Sequence, residues 1–420
     1  MSFALHVDAE QWRAGTEAVR DSVRAAIGPG PGDLVPVAKG NGYGLGNARL
    51  AREAARLGVG CLAVGTAGEL ADVADAFAGD LLVLAPYEPA DTCAAADWAA
   101  LSGAGYAHSV VRTVSSAAGL RALLAGASAE APVRVVLEGF TSMRRFGFEP
   151  ADLTSVLADS QLRAALAAGA LRIEGLALHL PITQPATVHR DDPGAPWHDA
   201  AVAPAPPAGA SGRVQEVLAW AYTWGQLLAD LSLTDADAAA ADIAAAALSA
   251  APTLWVSHLD DGELEVVGTA LPDTALRVRI GTRLWLGARS ALVARGTVLA
   301  VHQVRRGQRS GYRQRRTSRD SVLLVVGGGT AHGVALEAPS AVSSVRQRVV
   351  AAGSGVLEAG GLALSPFSVA GKQRWFAEPP HMQVSLVHLA AGVPAPVVGD
   401  EVDCDVRLTT ATFDRIVGLD

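Results

Sequence analysis

The chain has 420 residues, of which half are hydrophobic and 18% are charged, and its formal net charge is −8. This length and apolar content suffice for two domains with substantial cores, and the negative charge without an extended basic face argues against a nucleic-acid-binding protein. Three widely spaced cysteines, Cys61, Cys93 and Cys404, suggest neither a metal site nor a disulfide framework. Because no apolar leader and no apolar run of about 20 residues is present, we expect a cytoplasmic protein without a membrane partner.

The first two thirds of the chain predict strands that alternate with helices. Residues 3–8 (FALHVD) predict a strand, and residues 9–27 predict a helix. Eight apolar segments follow as strand candidates, most of them separated by Ala/Leu-rich helical stretches: Leu34–Lys39, Cys61–Thr66, Leu81–Pro86, Tyr106–Thr113, Pro132–Gly139, Leu171–Leu180, Thr253–Leu259 and Leu276–Leu286. Eight such strands predict an α/β fold, a (β/α)8 TIM-type barrel with its functional groups at the carboxyl ends of the strands.

The barrel is expected to span residues 9–290, with an irregular insertion at about 181–250. The insertion contains a Pro/Ala-rich loop, a helical segment (VQEVLAWAYTWGQLLADL) and an alanine-rich run, and we interpret it as a surface extension, with a lid as the alternative. After about Ser290 the sequence changes to alternating segments such as TVLAVHQV, DSVLLVVGG and QVSLVHL. Residues 291–420 therefore predict an all-β domain.

One segment, DLVPVAKGNGYGLG (residues 33–46), places Lys39 where a strand meets a glycine-rich loop. The glycines permit close approach of a ligand to the backbone. An ammonium at such a position must be paired, neutralised or covalently used, or else simply reach water at the strand end. The sequence V-A-K-G-N-G-Y-G-L-G resembles the cofactor-lysine motif V-x-K-A-N-A-Y-G-H-G of the alanine racemase family, fold-type III enzymes that use pyridoxal 5'-phosphate (PLP). The resemblance implies that Lys39 forms the Schiff base with PLP and that Tyr43 lies near its phosphate.

Two arginine motifs extend the resemblance. SMRRFGF (residues 142–148) resembles G-M-G-R-L-G, which implies that Arg145 lies beside the cofactor phenolic oxygen and the substrate carboxylate. Glu138 stands where many members carry a carbamylated lysine, and it would brace Arg145 with a negative charge unless it is an ordinary strand-end residue. V-R-I-G resembles V-R-x-G and implies that Arg279 faces the pyridine nitrogen. Because an arginine cannot accept the ring proton, the ring would be a weaker electron sink, which suits racemisation.

Strand-end histidines and backbone amides complete the cofactor-binding set that the resemblance implies. His179 in L-A-L-H-L would hydrogen-bond Arg279, although a lone strand histidine is more often a satisfied core group. His258 in V-S-H-L matches the next strand-end histidine. The serine that contacts the phosphate in the family is replaced by Gly262, whose N–H could still serve. Gly281 and Thr282 are the remaining residues of this set.

The predicted β-domain carries the second catalytic motif. GQRSGYRQ (residues 307–314) resembles G-x-x-V-G/S-Y-G and implies that Tyr312 enters the active site of a partner subunit, where Tyr312 and Lys39 act as two bases on opposite faces of the substrate. A solvated, highly charged hairpin is the alternative for this basic loop. MQVSLVHL resembles M-D-Q-T-M-V-D-L and implies that Met382 and Gln383 contact the substrate. The family also implies a β-domain that residues 1–8 join.

Several departures concern the approach to the cofactor. The family sequence G-Y-A-D-G becomes GGGTA (residues 327–331), and the C-terminal tyrosine is missing because Tyr312 is the last tyrosine of the chain. These changes predict a substrate bulkier than alanine, or weak activity with alanine. The resemblance thus implies a homodimeric, PLP-dependent amino-acid racemase without a metal. A fold-type III decarboxylase and a non-catalytic PLP-binding or regulatory homologue are the alternatives.

Overall fold

The structure, a computed structural model, describes residues 2–182, 207–233, 252–336 and 363–419. The chain divides into two compact units. Residues 17–40 and 47–284 form the barrel unit, and residues 1–16, 41–46 and 285–420 form the β-unit. The chain begins with strand β1 (Phe3–Val7) and helix α1 (Ala9–Ile27).

Eight parallel strands form the barrel unit: β2 (Asp33–Pro36), β3 (Cys61–Val64), β4 (Asp80–Val83), β5 (Val110–Val114), β6 (Val133–Gly139), β7 (Leu171–Leu178), β8 (Thr253–Ser257) and β9 (Ala275–Ile280). Strands β3 to β9 pair in chain order, and β2 pairs with β9. A parallel bridge between Val37 and Ala63 closes the ring, with the Ala38 N–H donating to the Ala63 carbonyl at 2.8 Å. The predicted TIM-type barrel is confirmed.

Helices follow most of these strands: α2 (Asn47–Arg56), α3 (Leu70–Ala74), α4 (Thr92–Ala100), α5 (Ala117–Leu124), α6 (Pro150–Leu157), α7 (Ser160–Ala167), α8 (Gly212–Leu233), α9 (Asp261–Ala270) and α10 (Thr282–Leu286). Short polar side chains fix several helix starts, because they accept from otherwise unpaired amides. Ser116 accepts from the Gly119 N–H at 3.0 Å, and Asp159 accepts from the Gln161 N–H at 2.9 Å.

Side-chain alternation along the strands determines which residues reach the active end of the barrel. The interior is packed by a cluster that includes Val37, Ala63, Val136, Ala177 and Trp255. Successive side chains of a strand point to opposite faces, so the residue two positions further along shares the interior side. The next layer toward the carboxyl ends therefore contains Lys39, Gly65, Glu138, His179 and Ser257.

The β-unit contains an eight-stranded sheet and a small hairpin. Its strands are β10 (Leu292–Val304), β11 (Arg309–Ser310), β12 (Arg315–Arg316), β13 (Ser321–Gly327), β14 (Leu364–Val369), β15 (Lys372–Phe376), β16 (Val384–Ala390), β17 (Glu401–Cys404) and β18 (Arg415–Val417). The sheet order is β13-β16-β15-β14-β17-β10-β1-β18, with a further β10–β13 pairing. Strand β1 lies antiparallel to β10 and parallel to β18. The predicted C-terminal β-architecture is confirmed.

The strand bounds differ from the predicted ones mainly at two places. Residues Ala107–Ser109 form a 3-10 turn before β5, and the segment predicted as Leu276–Leu286 ends as a strand at Ile280 and continues as α10. Short apolar runs do not by themselves distinguish a strand from a helix. In the insertion, α8 matches the predicted helix, whereas residues 183–206 and 234–251 lie outside the described residues. None of the helices in the described ranges has both the length and the apolar character to span a membrane.

Candidate active site

Lys39 lies just past the end of β2, at the carboxyl end of the barrel. Gly65 leaves room for it, because a side chain there would place its Cβ 3.1 Å from the Lys39 Cβ. Partial burial lowers the pKa of the Lys39 amine, and the positive charges of Arg145 and Arg279 lower it further, while Glu69 acts in the opposite direction. An amine with a lowered pKa is more readily uncharged, which is the form that condenses with an aldehyde.

Glu69 holds both the backbone that follows Lys39 and the backbone at the end of the neighbouring strand β3. One carboxylate oxygen accepts from the Gly40 N–H at 2.9 Å, and the other accepts from the Gly65 N–H at 2.7 Å. Glu69 also closes a capping box with Thr66. Glu69 is not among the site residues predicted above, although the T-A-G-E sequence carries the capping-box signature. The carboxylate thereby connects the loop after β2 to the loop after β3.

Arg279, on β9, is buried with 7% exposure. One terminal nitrogen, Nη2, donates to the Leu178 carbonyl at 2.8 Å and to the Trp255 carbonyl at 3.3 Å. The Nε–H has no partner among the described residues. Burial lowers the pKa of Arg279 to about 10, and the charge of Glu138 opposes this shift. The barrel interior thus contains a buried guanidinium group whose Nε–H can donate a hydrogen bond to a ligand.

Glu138 supplies a buried carboxyl group to the same layer, with 3% exposure. Burial raises the pKa of Glu138, and the charges of Arg279 and then Arg145 act in the opposite direction. The larger electrostatic effect comes from Arg279, whereas the sequence suggested Arg145 as the partner. Its Oε2 has no hydrogen-bond partner in the described part of the chain. An unpaired buried polar group costs about 1–3 kcal/mol, and such groups are expected where a ligand completes the site.

The two histidines lie together at the ends of β7 and β8. The rings of His179 and His258 are 5.1 Å apart and nearly perpendicular. Burial and then the charge of Arg279 lower the pKa of His179 to about 3, and the same two causes lower the pKa of His258. Both imidazoles are therefore neutral near pH 7. His258 has a φ of 62°, a left-handed conformation that is uncommon for a histidine and often found at functional sites.

The expected hydrogen bond between His179 and Arg279 is not found among the described residues. The His179 Nδ1 instead lies 3.1 Å from the Ser257 Oγ, and Arg279 bonds the carbonyl of Leu178, the residue before His179. Ser257 is not among the site residues predicted from the sequence. Its position could have indicated it, because Ser257 is the interior-facing residue at the carboxyl end of β8.

Arg145 lies in an exposed loop that follows β6 and returns alongside it. The Phe148 N–H donates to the Glu138 carbonyl at 2.7 Å, which brings the loop back to the end of β6. Glu216 on α8 is fully buried and accepts from the Ser142 N–H at 2.6 Å and from the Ser142 hydroxyl at 2.7 Å. Helix α8 therefore anchors the loop that carries Arg145. This contact joins distant segments of the chain, and no local sequence motif predicts it.

The predicted phosphate contacts lie near charged helix starts. Gly262 is in the first turn of α9, where Asp260 accepts from the Glu263 N–H at 2.9 Å in a capping box. Arg213 bonds Glu263 at 2.9 Å, and Arg283 bonds Asp261 at 2.6 Å, so cations offset these carboxylates. Gly281 lies directly between β9 and α10, and Thr282 is the first residue of α10.

The remaining predicted site residues belong to the β-unit. Tyr43 lies in the turn Gly42–Gly44 with a φ of 56° and is buried. Tyr312 lies at the tip of the β11–β12 hairpin with 83% exposure. Met382 is 70% exposed, and the neighbouring Gln383 is also exposed; its carbonyl accepts from the Gly328 N–H at 3.0 Å. The structure thus places Tyr312, Met382 and Gln383 on exposed segments of the same unit.

The glycines of residues 327–329 have a structural reason in the β-unit. Gly328 has a φ of 106°, and a Cβ at this position would lie 2.7 Å from the Phe3 ring. A Cβ at Gly329 would overlap the carbonyl oxygen of His381. Strand β1 and the segment before β16 therefore occupy the space beside these glycines, so a tyrosine at position 328 does not fit this packing.

The barrel-end residues fit PLP as a ligand. The aldehyde would meet Lys39, whose pKa is lowered, and the pyridine ring would meet the spare Nε–H of Arg279. The basic side chains of Lys39, Arg145 and Arg279 suit a ligand that carries a phosphate, and the buried carboxyl group of Glu138 offsets part of their charge. We therefore regard the carboxyl end of the barrel as a candidate PLP site.

One protein-family model matches part of the chain, most of it in the barrel unit. The family model described as alanine racemase, N-terminal domain, matches residues 13–195. No curated protein matches the chain by sequence.

Solved structures of alanine racemases share the fold. The enzyme from Bartonella henselae, with covalently bound pyridoxal phosphate, matches with a TM-score of 0.61 and 15% identity, covering 99% of this chain and 99% of that one. The enzyme from E. faecalis matches with a TM-score of 0.57, 18% identity and coverages of 96% and 88%. The biosynthetic enzyme from Pseudomonas aeruginosa matches with a TM-score of 0.56, 20% identity and coverages of 97% and 91%. At these identities the likeness shows the fold alone, a barrel followed by a C-terminal β-domain, and the family model matches somewhat less than half of the chain.

Proposed function

We propose that this protein is a homodimeric, PLP-dependent amino-acid racemase. The observation that carries the proposal is the buried Arg279, whose Nε–H has no partner among the described residues and which pairs in register with Ser257, a member of the interior layer that contains Lys39. An arginine in contact with the pyridine nitrogen could donate a hydrogen bond but could not take up a proton. This electronic setting favours simple α-proton exchange over reactions that need a strongly electron-withdrawing ring.

When bound, PLP would draw electron density away from the α-carbon of an amino acid, so that the α-proton can leave. Lys39 would hold the cofactor aldehyde. Tyr43, His179, His258, Arg145 and the backbone at Gly262, Gly281 and Thr282 would surround the rest of the cofactor. The two histidines, neutral near pH 7 because of burial and Arg279, would add hydrogen-bonding capacity without adding charge.

The proton transfer itself would use two bases. Lys39 would remove or return the α-proton on one face of the substrate, and Tyr312 of a second copy would do so on the other face, which inverts the stereocentre. Arg145 would bind the substrate carboxylate, with Met382 and Gln383 beside it. The exposure of Tyr312 and Met382 supports the proposal of a dimer, because both side chains are available to a second copy.

We further propose a substrate bulkier than alanine. Gly328 replaces a family tyrosine. A tyrosine at this position would displace Phe3. The family aspartate is replaced by Gln383, and the C-terminal tyrosine is absent. Loss of the C-terminal tyrosine and of one charge would enlarge and neutralise the approach to the cofactor, and small pockets discriminate mainly by size. The cytoplasmic location expected from the sequence stays a prediction.

The test is an exchange screen with PLP supplied. Each amino acid is incubated with the protein in D2O, and both α-deuteration and the D/L ratio are measured. Borohydride reduction should attach PLP to Lys39 and leave Lys372 unmodified, and these are the two lysines of the chain. Racemisation of at least one amino acid, lost in Lys39→Ala, is the expected result. PLP attachment without α-exchange would instead indicate a binding protein, release of CO2 would indicate a decarboxylase, and a strong preference for alanine would refute the wide pocket.

A further inference from the structure

Tyr312 is highly exposed, yet its ring is held by a neighbouring side chain. The rings of Tyr312 and His381 lie 4.4 Å apart at an interplanar angle of 38°. Tilted ring contacts of this kind are favourable beyond the burial of the rings. His381 therefore limits the rotamers that the tyrosine can adopt at the tip of the β11–β12 hairpin.

His381 is itself fixed by a buried carboxylate. Its Nε2 lies 2.7 Å from Glu378 Oε1, and Glu378 is 6% exposed. Pro379 and Pro380 separate the two residues, and their fixed φ angles make the connection stiff. The imidazole is consequently held both by its hydrogen bond and by the rigid backbone between the two partners.

The same carboxylate lies directly beneath the hairpin tip. The Arg313 N–H points to Glu378 Oε2 at 3.4 Å. Gly311 has a φ of 71°, and a Cβ at Gly311 would overlap the Glu378 carboxylate. Glu378 thus contacts the residues on both sides of Tyr312, while His381 contacts the tyrosine ring.

We propose that Glu378 and His381 are positioning residues, which together hold the Tyr312 phenol in the orientation required for proton transfer. This inference depends on the proposed function, in which Tyr312 is the second base. A reacting group displaced by about 1 Å can lower a rate by about a hundredfold, so an exposed tyrosine needs such support. His381 also directly precedes Met382, so one short segment would place both the base and a substrate contact.

The test measures wash-out of the α-hydrogen in D2O separately for the D and L enantiomers. Tyr312→Phe, which removes the phenol, identifies the enantiomer whose proton Tyr312 removes. We expect His381→Ala to slow wash-out of that same enantiomer by about ten- to a hundredfold, with little effect on the other enantiomer or on PLP content. His381→Phe keeps an aromatic ring against Tyr312 and should recover part of the rate.

Glu378→Gln and Gly311→Ala provide independent routes to the same result. Glu378→Gln preserves size and weakens the hydrogen bond to His381, whereas Gly311→Ala forces the hairpin tip away from Glu378. Both should reproduce the enantiomer-selective loss, even if His381→Ala fails to fold. An equal loss for both enantiomers, or wild-type rates in the His381 and Glu378 variants while Tyr312→Phe is slow, would overturn the positioning role alone. If Tyr312→Phe leaves wash-out of both enantiomers unchanged, the two-base proposal fails, and the positioning role fails with it.

Discussion

Replacement of Glu69 by glutamine tests whether the loop around Lys39 is held by one carboxylate. In the native protein the two oxygens accept from the Gly40 and Gly65 amides at 2.9 and 2.7 Å. An amide group offers one acceptor oxygen, so Glu69→Gln keeps one of these hydrogen bonds and turns an N–H donor toward the other amide. Loss of one hydrogen bond to a charged acceptor costs about 1.5–3 kcal/mol.

This cost should appear in the affinity for PLP as well as in stability. If Glu69→Gln removes about 2 kcal/mol of stabilising free energy from the PLP-bound state, the Kd for PLP rises by about thirtyfold. The charge of Glu69 also raises the pKa of Lys39, so its removal should lower that pKa further. The assays are a PLP titration followed by borohydride trapping at Lys39, and denaturant unfolding of the same variant.

Asp159→Ala is the matched control for general destabilisation. Asp159 caps α7 by accepting from the Gln161 and Leu162 amides, away from the proposed site. Loss of such a cap costs about 1 kcal/mol and should leave PLP trapping unchanged. Equal PLP affinity in Glu69→Gln and Asp159→Ala, at comparable loss of stability, would refute the role of Glu69 in holding the lysine loop.

Three further outcomes follow from the geometry. Because the Lys39 pKa is lowered, an acylating reagent should modify Lys39 at a pH below the 10.5 typical of a lysine amine, and mass spectrometry should show the midpoint; a midpoint at or above 10.5 would contradict the burial argument. Gly328→Ala should destabilise more than Gly371→Ala, since both have positive φ but only Gly328 faces Phe3, and equal unfolding midpoints would exclude the steric clash. The pKa of His179 is about 3 in the folded protein against 6.5 unfolded, so the unfolded state binds more protons and the folded state loses stability as the pH falls below 6.5. His179→Gln should therefore lose less stability than the native protein between pH 7.5 and 5. Identical losses would refute the pKa shift.

Much of the barrel could be predicted from the sequence because its strands are apolar, short and separated by helices. Lys39 was expected at a strand end, and strict alternation along β2 places it one layer above Val37. Local pattern did not distinguish the end of β9 from the start of α10, since both are apolar. The strand-to-helix change at Gly281 became evident only from the backbone.

The supporting contacts could not be predicted because they join segments that are distant in the sequence. Glu216 reaches Ser142 from α8, and Ser257 reaches His179 across neighbouring strands. A single sequence shows which residues could accept a hydrogen bond, but the partner depends on the closed barrel. The expected bond between His179 and Arg279 is not found among the described residues, where Arg279 Nη2 donates to the backbone carbonyls of Leu178 and Trp255.

The pairing of β1 has a consequence for biosynthesis. Phe3 pairs with Gly296 in β10, so the first strand leaves the ribosome about 290 residues before its partner. At about 5–20 residues per second, translation of that interval takes roughly 15–60 s. Throughout this time Phe3, Leu5 and Val7 remain without the sheet that later buries them. A nascent chain therefore needs protection at β1 until β10 has been made.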